Sequence, residues 1–133
     1  MSDISSIIAK MKSFHARKSA QLNEIEFAEQ ELGLRFNEDY KACLLAFGQF
    51  SIYGHEFTGI TKTSRLDIVE VTKDEKFRND YIPQELYVIE QTHIDDIVIW
   101  QNGRGEVFQS SFNELPHKIA DSLLEYIELD NNS

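Results

Sequence analysis

Between Ile25 and Gly48 the apolar residues fall at helical spacing, and that spacing is interrupted once, at Gly33. Ile25, Ala28 and Leu32 form one stripe, with Glu24, Glu29 and Glu31 outside it. Asn23 followed three residues later by Glu26 reads as a capping box at its start. Gly33 stands where a left-handed residue closes a helix. Asn37 opens a second helix, with Glu38 and Asp39 at the positive end of its dipole. Tyr40, Cys43, Leu44 and Phe47 then repeat at i, i+3, i+4 and i+7, and Gly48 stops them. This stretch therefore reads as two short amphipathic helices joined by a tight break.

Upstream, Ile4, Ile7, Ile8, Met11 and Phe14 share one helical face, which predicts a helix over residues 3–20 capped by Ser2 or Asp3. Downstream the period changes. Phe50, Ile52 and Phe57 suggest a strand that bends at Gly54. Residues 66–80 read as a short helix followed by a charged loop. Residues 86–89 and 94–100 read as strands. Asn102-Gly103 predicts a type I′ hairpin turn, with Gly105 as a second flexible point. Residues 106–109 return as the partner strand, and Pro116 starts a last helix bearing Ile119, Leu123, Tyr126 and Ile127. Segregated runs of this kind predict an α+β fold, with a central antiparallel sheet flanked by N-terminal helices and a C-terminal helix.

The 133 residues suit a single domain over 1–133, with a core of about 22–129 and the extra helix 3–20. Cys43 is the one cysteine, so no intrachain disulfide can form. Ile7-Ile8-Ala9 is too short for a signal-peptide core, and no run approaches a membrane span, so a cytoplasmic location is expected. The charge is divided unevenly. Residues 1–20 carry four basic side chains and one acidic, a net of +3; the rest carry nine and 22, a net of −13. Such a body repels nucleic acid and anionic membranes and attracts basic partners, while on charge alone the commoner role of such acidity is simply to keep a protein soluble.

No catalytic, cofactor or metal motif emerges. Cys43 lies on an apolar helical face, whereas a nucleophilic thiol needs an electropositive, partly exposed setting. His15, His55, His93 and His117 lack the spacing of a helical zinc site. Gly103-Arg104-Gly105 leads into a strand, not the helix that a phosphate cradle needs. Asp95 and Asp96 are adjacent on a predicted strand and point to opposite faces. Trp100 suits either core packing or a partner-facing rim, and Tyr53 and Glu56 near Gly54 share that ambiguity.

Ile25-Glu26-Phe27-Ala28-Glu29-Gln30-Glu31-Leu32-Gly33-Leu34 resembles the opening helix of the SUKH (SMI/KNR-like) superfamily. Asp39-Tyr40-Lys41 and Leu44-Leu45 followed by Phe47-Gly48 resemble its second helix. Asp96-Ile97-Val98-Ile99-Trp100, Gly105-Glu106-Val107-Phe108 and Ile119-Ala120-Asp121-Ser122-Leu123 are similar to its later strands and closing helix. Two positions depart from the pattern: Asn37 stands where proline is common, and Asp95-Asp96 replaces Gly-Asp. The resemblance implies an α+β fold, no enzymatic activity and no cofactor. It implies an immunity protein that neutralises a cognate toxin, often a nuclease, encoded as the C-terminal domain of a neighbouring gene product. The same resemblance allows a regulatory protein-interaction module instead. A small enzyme using Glu90, Asp95 and Asp96 is a third reading, motivated only by abundant carboxylates. On the leading reading, the partner-binding candidates are Tyr53, Glu56, Glu90, Asp95, Asp96 and Trp100.

Overall fold

Five helices, two of them stopped by glycine, and two antiparallel sheets make up the architecture of the computed structural model, which describes residues 4–131. The elements run α1 (Ile4–Ala9), β1 (His15–Ala16), α2 (Leu22–Leu32), α3 (Glu38–Phe47), β2 (Phe50–Ile52), β3 (His55–Glu56), α4 (Ile68–Arg78), β4 (Tyr87–Gln91), β5 (Val98–Gln101), β6 (Val107–Ser110), β7 (His117–Ala120) and α5 (Leu123–Asn131). β1, β2 and β3 form one sheet in that order; β4 to β7 form the other. The fold is α+β, as the segregated pattern predicts.

α2 and α3 follow the sequence signals closely. Ile25, Ala28 and Leu32 are buried, and Gly33 closes α2 at φ 66°. The cap lies two residues earlier than Asn23: the Gln21 N–H donates to the Glu24 carboxylate at 2.9 Å. Asn37 caps α3 by accepting from the Asp39 N–H at 3.0 Å. Its own N–H donates to the Tyr87 hydroxyl at 2.9 Å, and that hydroxyl donates to Gln101 Oε1 at 2.7 Å. Proline has no N–H, so a proline at position 37 could not make this link to the sheet.

Four expectations differ from the structure. The N-terminal helix ends at Ala9; after Ser13, at φ 61°, residues 15–16 pair with Phe50 and Ser51 as a strand. Phe14 continued the apolar spacing but meets Phe47 edge-on, at 4.8 Å, from extended chain. The caps at Ser2 or Asp3 and the tail end, 132–133, lie outside the described residues. At Gly54 the chain reverses fully: Tyr53 (φ 52°) and Gly54 (φ 83°) form a two-residue hairpin turn between β2 and β3. The charged segment after Val71 is helical, because Asp67 caps α4 and Lys76 and Arg78 suit its C-terminal end. Pro116 opens β7 and not a helix; α5 starts after Ser122, whose Oγ accepts from the Glu125 N–H at 3.0 Å.

The β5–β6 turn also departs from type I′, since among its residues only Gly105 has positive φ. Asn102 acts as an acceptor instead, taking the Arg104 and Glu106 N–H groups at 3.1 and 3.0 Å.

Both faces of the four-stranded sheet are covered, which is why β4 and β5 are apolar at successive positions. Tyr87, Ile89 and Ile99 face the main core with α2, α3 and α5; Val88, Val98 and Trp100 pack with Val71 and Leu86 in a second cluster. β4 is an edge strand, and its free backbone groups are capped by two buried threonines. Val88 N–H donates to Thr72 Oγ1 at 3.0 Å, and Thr58 Oγ1 donates to the Val88 carbonyl at 2.7 Å. That closes the edge against unwanted strand pairing. Phe57 bridges to Glu90 and so joins the two sheets.

Glu106 fastens the hairpin to β7. Bonds from Asn102, Lys118 and Arg104 hold its carboxyl at about 2, below the usual carboxylate range. A depressed carboxyl stabilises the fold fully above the unfolded value and loses that contribution as pH falls towards about 2. Glu106→Gln is therefore expected to be less stable than wild type at neutral pH. The difference should shrink on acidification between pH 4.5 and 2, followed by denaturant unfolding at each pH.

Candidate functional site

The sequence candidates separate into two buried and four accessible residues. Trp100 is 1% exposed, and its indole N–H donates to Ser110 Oγ at 2.9 Å, so it packs as core. Glu90 is 4% exposed. A register shift between Val88 and Glu90 turns its side chain to the junction of three elements. There Oε1 accepts from the Tyr126 hydroxyl and Oε2 pairs with His55 Nδ1, both at 2.6 Å. This carboxylate joins β3, β4 and α5 and is not displayed to a partner, which corrects its assignment as a surface contact. Trp100 is likewise buried and reaches only the wall of a recess.

Tyr53 is half-buried in the β2–β3 turn. Glu56 is exposed and makes a two-pronged pair with Arg65 at 2.9 and 3.2 Å, which holds its carboxyl below the usual range. Asp95 and Asp96 are exposed in the β4–β5 loop at φ 53° and 58°. This loop, and not a strand, is where Ile94 to Asp96 lie. Asp tolerates left-handed backbone better than most residues, which lets Asp95 and Asp96 hold positive φ without glycine.

Asp96 and Trp100 meet at a recess of about 160 Å³ at one end of the four-stranded sheet. Glu75 and Arg78 of α4, His93 of the β4–β5 loop and Phe112 of the β6–β7 loop complete its wall. Glu75 accepts from the Gln91 amide, and both residues line the recess. Tyr53 and Glu56 belong to the other sheet and do not line the recess. Sequence reasoning missed Glu75, Arg78, His93 and Phe112. The signal for Phe112 was present: with Leu115 it is an apolar residue in the turn-rich run Ser111–Pro116, where helix and strand periodicity are both absent.

Cys43 is buried, and burial followed by the nearby Asp39 charge pushes its thiol up to about 12, so it stays protonated. Tyr40 and Tyr87 are also pushed up, chiefly by burial. Among the described residues, no group of three or more His, Cys, Asp or Glu side chains is placed to hold a metal ion. No helix there is long and apolar enough to cross a membrane.

A SUKH family model, described as SMI1-KNR4 cell-wall, matches residues 22–127. The chain belongs to the SUKH superfamily. The match begins at the first residue of α2 and ends within α5, so the recess lies entirely inside the SUKH core. α1 and β1 precede the match, yet β1 adds a strand to the core by pairing with β2. A search of curated proteins found no match.

Proposed function

We propose that this SUKH protein is a non-enzymatic immunity protein that binds a cognate toxin domain in the cytoplasm and occludes its basic surface. A nuclease is the toxin class that suits it best. The observation that carries this reading is the net charge of −13 on residues 21–133, 107 of which fall in the family core at 22–127 or directly before it. Nuclease domains must present cationic surface to hold phosphates. An acidic inhibitor competes for that surface and is steered to it, with association rates that reach about 10⁸–10⁹ M⁻¹s⁻¹ at low salt.

The test is the association rate with the C-terminal toxin domain encoded beside this chain, measured by stopped flow. Raising ionic strength from about 0.01 M to about 1 M shrinks the screening length from about 30 Å to about 3 Å. The rate is expected to fall by at least tenfold over that range. A rate independent of salt, or no complex at low salt, contradicts the proposal.

A second reading, a regulatory protein-interaction module, is favoured by the cell-wall description of the matched family model. It predicts several partners in a pull-down from the source cell where the first predicts one toxin.

A further inference from the structure

The β4–β5 and β6–β7 loops emerge at the same end of the antiparallel sheet, and the C-terminal end of α4 reaches them there. Ile94 is 64% exposed, Phe112 63% and Leu115 68%, all in the two loops, and Tyr81, three residues past the end of α4, is 53% exposed. Phe77, one residue before Arg78, is 88% exposed. These five are half of the ten large hydrophobic side chains exposed among the described residues. The opposite end of the sheet, around residues 102–106, has none of the ten and pairs its charges internally through Glu106, Arg104 and Lys118. A concentration of exposed large apolar side chains at one end of a domain points to an interaction site.

The patch is held in place by hydrogen bonds. Asn79 Nδ2 donates to the Glu114 carbonyl at 2.9 Å, and Asn79 Oδ1 accepts from the Tyr81 N–H at 2.9 Å. Thr92 Oγ1 accepts from the Ile94 N–H at 3.2 Å and donates to the Ile97 carbonyl at 2.9 Å. Anchors fixed before binding lose less freedom on binding.

Charge selects the occupant. The recess is lined by the carboxylates of Glu75 and Asp96, the guanidinium of Arg78 and the imidazole of His93, and the exposed Asp80, Asp95 and Glu114 each neighbour a lining residue in the chain. Arg78 stands 4.0 Å from both Glu75 and Asp96, too far for a tight pair with either.

We propose that this end of the four-stranded sheet is the docking surface for a basic protein domain. A lysine or arginine of the partner pairs with Asp96 at the mouth of the recess, and Phe112 and Leu115 cover apolar surface beside it. This rests on the immunity reading for the identity of the partner, but it assigns the contact to one surface, where the family and the net charge assign none.

The experiment measures affinity for the toxin domain encoded beside this chain, using the whole chain and three paired variants. Phe112→Ser with Leu115→Ser removes the apolar anchors. Asp95→Asn with Asp96→Asn removes charge and keeps residues that tolerate the left-handed backbone. Leu22→Ser with Phe27→Ser alters exposed apolar residues on α2, away from the recess, at 57% and 61% exposure. Thermal unfolding verifies that each variant is folded. The first pair is expected to weaken binding about 100-fold or more. The second should slow association several-fold at low salt and flatten its salt dependence. The α2 pair should bind within about threefold of wild type, as expected for positions outside an interface. Wild-type binding with unaffected recess variants, or loss confined to the α2 pair, overturns the surface and leaves the immunity reading standing. Failure of the wild-type chain to bind overturns both.

Discussion

Gly59→Ala is expected to abolish the folded state. A Cβ at Gly59 would lie 2.0 Å from the Gly48 carbonyl oxygen and 2.7 Å from the Gln49 Cα, both backbone atoms that cannot swing away. The crossing is locked from both sides: Ile60 N–H donates to the Gly48 carbonyl at 2.9 Å, and Ile68 N–H donates to the Gly59 carbonyl at 2.8 Å. Relief of the clash would pull α3 from the segment that joins the two sheets. The loss should exceed about 4 kcal/mol, set against a total of roughly 5–15 kcal/mol for a typical domain. Gly48→Ala should be similar, because its Cβ would meet the Lys18 carbonyl oxygen at 2.0 Å and its φ is 72°. Gly54→Ala is the control. It also has positive φ, 83°, but nothing stands within 4 Å of the added carbon, so only about 1–3 kcal/mol of backbone strain applies. Soluble yield and denaturant unfolding measure all three. A Gly59→Ala protein as stable as the Gly54→Ala protein would contradict the close crossing.

Glu90→Ala is expected to be the most damaging loss of a polar side chain. It withdraws a buried acceptor from the Tyr126 hydroxyl and from His55, at a junction of both sheets and α5. Removing one member of a buried charge-assisted network destabilises by about 3–5 kcal/mol. Glu90→Gln keeps the shape and an acceptor oxygen for Tyr126, so it should be milder than Ala. Urea unfolding of the two variants gives the ordering. Equal stability of Glu90→Ala and wild type would show that the carboxylate does not join the elements. The Gln variant should still associate with the partner at the wild-type rate, because Glu90 is buried and lies outside the docking surface proposed above.

The legible parts of the sequence were those governed by neighbours in the chain. Gly33 and Gly48 ended their helices, Asn37 capped α3, and the buried stripe of α3 was read correctly at all four positions. The misread parts were decided by distant partners. Residues 15–16 became a strand because Phe50 and Ser51 were there to pair with them. Residues 117–120 became a strand because β6 offered an edge, and tertiary pairing overrode a helical spacing from Ile119 to Leu123. The Ser122–Glu125 capping pair was nevertheless visible and marked where α5 begins.

The candidate site shows the same division. Asp95 and Asp96 were singled out from charge alone and are exposed beside the recess. Glu90 could not be told from them in sequence, because only the register shift after Val88 and the approach of Tyr126 and His55 bury it. Phe112 and Arg78 come together only when the β6–β7 loop meets the end of α4.

The most direct test of the central claim is growth of cells that express the cognate toxin domain proposed above, with and without the chain. The account predicts that the wild-type protein restores growth and that the folded Phe112→Ser/Leu115→Ser protein does not. Death of the culture despite abundant, soluble wild-type protein would contradict it.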